Sequence, residues 1–304
     1  MRSIIEHGGT TWIDIQDPAP ADIEYLRKRV SFHPLVFEQI SPPSWGTRVD
    51  VFPGHLFLVL FVPVYNKERQ EMRGRELDII STKDLLVTTH YKPIVPLKKL
   101  FDQCNLYEEE RKKFMSQGAG ILMHQVLHRI SEDYGLKINR IGEKLEHIEE
   151  SIFRGREKEM LREISVMKAD VINFWKIIRP QKGTFTSLRD IGPDFFGQET
   201  APYFSHLRNH WAKAMSNLFA YKETIEALED TNNSLLSHKT NEAVRILTVF
   251  SVILLPLTLI SQLFGMNTTF LPFGGKNYDF WIVVGMLLVA FTITVGYFKG
   301  KKWL

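Results

Sequence analysis

The chain has 304 residues, 44% of them hydrophobic and 24% charged, with 38 Lys and Arg against 35 Asp and Glu, and its mean hydropathy of −0.13 is that of a water-soluble protein. That average excludes a transporter made mostly of membrane spans, while 21 Phe and 6 Trp supply too much core material for a disordered chain. The net charge of +3 is too small for a nucleic-acid signature, and the single cysteine, Cys104, excludes an internal disulfide or a thiolate metal cage.

Met1 to Gly9 is short and mixed and carries neither an Arg-rich transit pattern nor a cleavable signal. Thr11-Trp12-Ile13-Asp14-Ile15 alternates and predicts a strand, Asp17-Pro18-Ala19-Pro20 is turn punctuation, and Ala21 to Val30 has the spacing and charges of a short surface helix. His55 to Val64 is almost wholly apolar, which suits a strand buried on both faces; Glu76 to Ile80 and Asp84 to His90 read as two more strands. This mixture predicts an α/β module. Pro93, Pro96 and the charged run Glu108 to Lys113 open a stretch of helix formers lasting to about Lys182, in which Ile138, Ile141, Leu145, Ile148 and Ile152 recur every three or four residues. Gly155 and the run Arg156 to Arg162 predict a hairpin turn between two helices, and Pro180 to Gly197 is expected to break the helical pattern. From Pro202 no Pro or Gly intervenes until Pro256. A helix over 202–264 would be about 95 Å long, too long for one globular domain to bury, so the sequence points to an oligomer.

Two 19-residue stretches, Ile246 to Phe264 and Phe280 to Phe298, contain no charged residue. As helices each would be roughly 28 Å long, close to the roughly 30 Å hydrocarbon core of a bilayer. They read as a transmembrane hairpin; the alternative is a pair of buried core helices. Lys239 and Arg245 precede the first span and Lys299, Lys301 and Lys302 follow the second, whereas Lys276 is alone between them, so both termini are expected to be cytoplasmic.

Stepping by three and four from Asn241 gives Val244, Thr248, Ser251, Leu255, Thr258, Gln262 and Gly265, and five of these eight carry polar side chains. The opposite set, Ile246, Val249, Phe250, Ile253, Leu254, Leu257 and Ile260, is wholly apolar. Small polar residues also mediate helix packing in lipid, but the regular spacing and its continuation to Asn241 favour a water-filled pore lined by the same helix from each subunit. Pro256 weakens the preceding turn, which is also compatible with a packing kink. Neither span holds Asp, Glu, Lys or Arg, which argues against a proton-coupled carrier.

At the end of this stripe stand Phe264-Gly265-Met266-Asn267. Directly after the first of two C-terminal spans, Gly265-Met266-Asn267 resembles the signature of the CorA family of divalent-cation channels. The similarity extends through Lys239-Thr240-Asn241-Glu242, Leu255-Pro256-Leu257-Thr258 and Lys301-Lys302-Trp303-Leu304, and back to Trp12-Ile13-Asp14 and His33-Pro34-Leu35 with Glu38, so it covers essentially the whole chain. The resemblance implies a homopentameric funnel. Residues 1–201 would form a cytoplasmic α/β domain with a long helical hairpin, 202–245 a stalk helix, and 246–264 the pore-lining span. The outer loop would be 265–279, the second span 280–298 and a basic cytoplasmic tail 299–304. It further implies that Asn267 binds the ion through its hydrating waters, that Gly265 and Met266 shape the turn, that Asn241 and Thr258 form polar rings, and that Leu247 and Leu255 form hydrophobic constrictions.

Four departures from the family pattern stand out. Phe264 replaces a tyrosine, Leu255 stands where methionine is common, and the loop from Thr268 to Asp279 lacks the acidic Met-Pro-Glu-Leu element, leaving Asp279 opposed by Lys276 to attract cations. In the family, carboxylates at the start of the stalk hold a regulatory Mg²⁺; here the run is Tyr203-Phe204-Ser205-His206-Leu207-Arg208-Asn209-His210. Feedback closure by cytosolic Mg²⁺ is therefore expected to be absent, weaker or moved to other acids. The His206/His210 pair suits a softer metal such as Zn²⁺ or Ni²⁺, although an i,i+4 histidine pair is more often an ordinary packing feature, and the same holds for His124 and His128. The expected function is passive, potential-driven influx of hydrated Mg²⁺ through a cell-membrane channel, with Co²⁺, Ni²⁺ or Zn²⁺ as further candidate cargo. A proton-coupled Zn²⁺ transporter of the same superfamily and a non-conducting membrane sensor or scaffold are the alternatives. No resident cofactor, nucleic-acid partner or catalytic residue is expected, because no phosphate cradle, HExxH helix or nucleophile elbow is visible.

Overall fold

A computed structural model describes residues 2–40, 43–44, 46–66, 68–69, 71–266, 278–301 and 303. Residues 1–229 and 230–304 form two compact units. The first is built on a six-stranded sheet in the order β1-β2-β6-β5-β4-β3, with β1 Arg2–His7, β2 Thr10–Gln16, β3 Arg48–Phe52, β4 His55–Asn66, β5 Glu71–Ser81 and β6 Leu85–His90. All neighbours are antiparallel except β2 and β6. The β1–β2 hairpin turns on Gly8 and Gly9, whose φ angles of 58° and 83° are the left-handed pair a tight two-residue turn requires.

One sheet face carries α1 (Pro20–Arg29) and α2 (Pro34–Ile40). Leu26, Val36, Phe37 and Ile40 of these helices share a core with Ile13, Ile15, Phe57, Val59, Ile80 and Val87. Pro20 opens α1, where its missing N–H costs nothing, and the Asp22 carboxylate accepts the Ala19 N–H at 3.2 Å. The other face packs against α5 (Ala119–Phe153) and α6 (Glu157–Ile178). Because helices cover both faces, every residue from His55 to Leu60 in β4 is buried, which is why that strand reads as one apolar run. Two further helices, α3 (Val95–Leu106) and α4 (Glu108–Met115), lead into α5. Ile138, Ile141, Leu145, Ile148 and Ile152 are all buried along α5, and the turn into α6 passes through Gly155 at φ 85°.

The expected break from Pro180 to Gly197 is a helix instead, α7 (Gln181–Phe196). Pro180 sits at its N-cap with φ −61° and ψ −22°, a conformation proline already prefers, and Pro193 falls in the last turn, where it leaves the Arg189 carbonyl without its helical donor but any kink comes as the helix ends. Gly192 faces Phe204; a Cβ there would stand 2.5 Å from the ring, so glycine permits close helix contact. The left-handed Gly197, φ 119°, ends α7.

The long helix expected over 202–264 is α8 (Ala201–Gly265), 65 residues and about 97 Å at 1.5 Å per residue. Within the first unit it buries Phe204, Leu207, Trp211, Ala214, Leu218, Ile225 and Leu228 at helical spacing. The Trp211 indole donates to the Ile178 carbonyl at 3.1 Å, and Gly142 of α5 leaves room for the Tyr221 hydroxyl. In the second unit, α8 continues to Gly265 and α9 spans Asp279–Gly300.

Candidate ion pathway and a histidine cluster

Both C-terminal helices are long and apolar enough to cross a membrane, and their apolar stretches are almost wholly unburied in the single chain. Leu247, Leu254, Leu255, Leu259 and Leu263 of α8, and Phe280, Trp281, Leu288, Val289 and Ile293 of α9, are exposed. An apolar surface of that extent in water would be a strong drive to aggregate; in lipid or against other subunits it is the expected surface.

The stripe read from the sequence occupies one side of α8. Asn241, Val244, Leu247, Thr248, Ser251, Leu255, Thr258, Gln262, Gly265 and Met266 are all exposed. By contrast Val249 is buried and Ile253, Pro256, Leu257, Ile260 and Phe264 are half-buried, and they recur at helical spacing on another side. Of the apolar set expected to face lipid or the second span, Val249, Ile253, Leu257 and Ile260 are thus partly covered and Ile246, Phe250 and Leu254 are not. Asn267 lies outside the described residues.

Two hydroxyls of the stripe are already committed as donors. Thr248 Oγ1 donates to the Val244 carbonyl at 2.8 Å and Thr258 Oγ1 to the Leu255 carbonyl at 2.9 Å. A hydroxyl whose proton is spent on its own helix presents only lone pairs outward. Thr248 and Thr258 therefore offer hydrogen-bond acceptors outward, and the Asn241 and Gln262 amides each add a carbonyl oxygen, which suit the polarised protons of water bound to a cation. Pro256 lies within the helix and brings no N–H for the Val252 carbonyl.

The other sequence motifs take structural places in the first unit. Trp12 is fully buried; its indole donates to Thr88 Oγ1 at 3.1 Å, which in turn donates to Asp14 Oδ1 at 2.6 Å, and its ring meets Phe101 edge-on at 4.9 Å. His33 stacks on Phe52 at 4.8 Å ahead of α2.

The two histidine pairs, separate in the sequence, meet in space. His124 and His128 on α5 face His206 and His210 on α8, with ring centroids 5.6 Å apart for His124–His128, 5.1 Å for His128–His206, 5.3 Å for His128–His210 and 4.3 Å for His206–His210. One ring nitrogen from each of His128, His206 and His210 lies within 4.8 Å of the others. His124 is 4% exposed, Tyr203 caps its ring edge-on at 5.0 Å, and neither of its nitrogens has a hydrogen-bond partner. Burial first, and then the neighbouring histidines, push the His124 imidazole down to about 4. His128 and His210 are lowered chiefly by burial, with Glu132 opposing the shift in each. Each pair was legible as an i,i+4 repeat, but their convergence depends on α5 packing beside α8, which no local spacing reveals.

The sequence profile described as CorA-like Mg2+ transporter protein matches residues 7–300. The Cobalt/magnesium transport protein CorA of Thermotoga maritima is 27% identical over 297 residues, 97% of this chain and 83% of that protein. Among solved structures, the CorA magnesium transporter from Methanocaldococcus jannaschii superimposes with a TM-score of 0.80 at 21% identity, covering 97% of this chain and 92% of that one. The full-length CmaX protein gives 0.75 at 15% identity, covering 97% and 89%. Both structures share the fold seen here: an α/β domain, one long helix and two C-terminal apolar helices. With the profile running from His7 at the end of β1 to Gly300 at the end of α9, the chain belongs to the CorA-like Mg²⁺ transporter family.

Proposed function

We propose that this protein is a membrane channel through which hydrated Mg²⁺, with Co²⁺ or Ni²⁺ as further cargo, enters the cell down the membrane potential. The observation that carries the reading is the exposed acceptor row on α8, in a chain of this family. Mg²⁺ sheds its waters reluctantly, so a pore gains by gripping the hydrate through hydrogen bonds from its water shell to protein oxygens. Asn241, Thr248, Ser251, Thr258 and Gln262 supply such acceptors on one line of the helix, and repeated weak sites let the ion leave as well as enter.

Five copies of α8 around one axis would turn each exposed residue into a ring. Asn267 rings the outer mouth in this reading, with Gly265 and Met266 shaping the turn that presents it. Leu247 and Leu255 form apolar rings that close the path by dewetting when the helices lean inward. Both termini lie in the cytoplasm of a cell-membrane protein in this reading, which the lysines and arginine flanking the two spans support. The absence of an acid or base from either span disfavours proton coupling to Zn²⁺.

Mg²⁺ flux into proteoliposomes tests the assignment. Asn267→Ala is expected to abolish uptake while the oligomer stays intact on sizing; undiminished flux would remove Asn267 and the pore built around it. Imposing a proton gradient should leave the wild-type rate unchanged, and absence of any ion movement would favour a sensor or scaffold. The same vesicles loaded with Mg²⁺ read the feedback question: weak inhibition is expected because His206 and Asn209 stand where the family places carboxylates.

A further inference from the structure

A histidine in a folded core normally finds ring hydrogen bonds. A neutral imidazole has one N–H to donate and one nitrogen to accept, and burying both without partners costs free energy that packing must offset. In the cluster between α5 and α8, His124 is buried with both nitrogens unpartnered, and His128 Nδ1 is buried and unpartnered as well. The Glu132 carboxylate lies 3.5 Å from His128 Nε2, and Arg129 and Lys213 are cations that offer an imidazole nitrogen no acceptor. Four like rings thus converge on a space for which the described side chains supply almost no hydrogen-bonding complement.

We propose that His128, His206 and His210, with His124 behind them, form a binding site for a borderline-soft divalent transition metal such as Zn²⁺, Co²⁺ or Ni²⁺, bridging α5 to the first turns of α8. Imidazole nitrogen suits these ions and is a poor substitute for the oxygen ligands Mg²⁺ demands, so the site is separate in chemistry from the proposed Mg²⁺ pathway. The geometry lies within reach of a tetrahedral site. At a Zn–N distance of about 2.1 Å, ligand nitrogens sit about 3.4 Å apart, against the 4.8 Å within which they fall here. Closing that gap takes small rotations of exposed or half-exposed side chains, since His206 is exposed and His128 and His210 are half-buried on the same rim. His124 supplies the fourth nitrogen or yields the position to water. Glu132 beside His128 is placed to hold a ring N–H, the usual outer partner that sets a ligand histidine's tautomer. Burial favours the neutral imidazole at His124, His128 and His210, so at these three the metal competes less with protons.

The test uses the untagged full-length protein in detergent, equilibrated with Zn²⁺ in millimolar Mg²⁺. One Zn²⁺ per chain is expected to stay bound and to raise the melting temperature, because metal joining α5 to α8 favours the folded state. Replacing two ligands in His206→Gln/His210→Gln should weaken retention by more than about 100-fold, the upper end of what loss of one outer partner costs. His147→Gln, at an exposed histidine elsewhere on α5, should leave it unchanged. Co²⁺ added to the wild type should show the intense visible bands of a tetrahedral nitrogen site, a reading that needs no variant to fold. The proposal fails if the wild type retains no Zn²⁺ against Mg²⁺, if the double variant retains as much, if His147→Gln loses as much, or if Co²⁺ keeps its pale octahedral spectrum.

Discussion

Asp78 shows how burial rewrites the chemistry of one side chain. It lies on β5 at 1% exposure, accepts a hydrogen bond from Thr89 Oγ1 at 3.0 Å, and has Glu76 as its neighbour on the same face of the strand. Burial, reinforced by the charge of Glu76 and only partly countered by Arg48 and Thr89, holds its carboxyl well above the ordinary range; Glu76 is raised as well, mainly by burial. A carboxyl raised on folding binds its proton more tightly in the folded chain. Its contribution to stability is therefore full below about pH 4, the unfolded value, and declines as pH rises toward the folded value. Asp78→Asn keeps the shape, removes the charge and gives Glu76 an amide donor. Melting temperatures measured from mildly acid to mildly alkaline pH should fall less steeply in the variant than in the wild type; parallel curves would show that Asp78 is ionised in the fold.

Helix α8 carries two faces of different origin along one element. Over its first turns the buried stripe from Phe204 to Leu228 is ordinary helix packing, and the close approach at Gly192 and Gly142 explains why glycines occur inside α7 and α5. Beyond Asn241 the polar row is exposed instead, and the helical spacing that separates Ser251 from Phe250 assigns them opposite surroundings in the proposed pore. A charged, water-soluble thiol reagent should block flux through Ser251→Cys and spare Phe250→Cys. Equal block through both would show that water reaches Phe250 as readily as Ser251, and no block through Ser251→Cys would place Ser251 away from water; either would overturn the assignment. The background is favourable, because Cys104 is buried and its thiol is pushed up to about 11 by burial and then by Glu110, which keeps it an unreactive thiol.

Taken together, the apolar surfaces of α8 and α9 do not close a path in one chain: a single pore helix has a polar row but no opposing wall. Ring closure by identical copies is the arrangement that gives every acceptor row the same surroundings. Light scattering on the detergent-solubilised protein, corrected for bound detergent, is expected to give five times the 35.3 kDa chain mass. A monomer or dimer would contradict the pore and leave the family fold without its conduction geometry.

Much of this protein was written into local pattern. The apolar run of β4 shows burial on both faces, the 3.6-residue recurrence shows the core stripe of α5, and the two uncharged 19-residue stretches mark the spans, because each depends on which side chains tolerate water or lipid at a fixed backbone period. Edge strands β1 and β3 and the short α2 escaped notice because they are brief and half-exposed, and α7 was hidden by prolines and glycines whose position at a helix end and at a tight contact made them harmless. Packing decided what spacing has no means to encode. His124 and His128 stand more than 70 residues from His206 and His210, and Asp78 becomes a buried acid only once β4, β6 and the covering helices exclude water from it. Chemistry that depends on two distant segments sharing one dry space arises from the fold as a whole, since the free energy of burying a ring or a carboxyl exists only where its neighbours have already arrived.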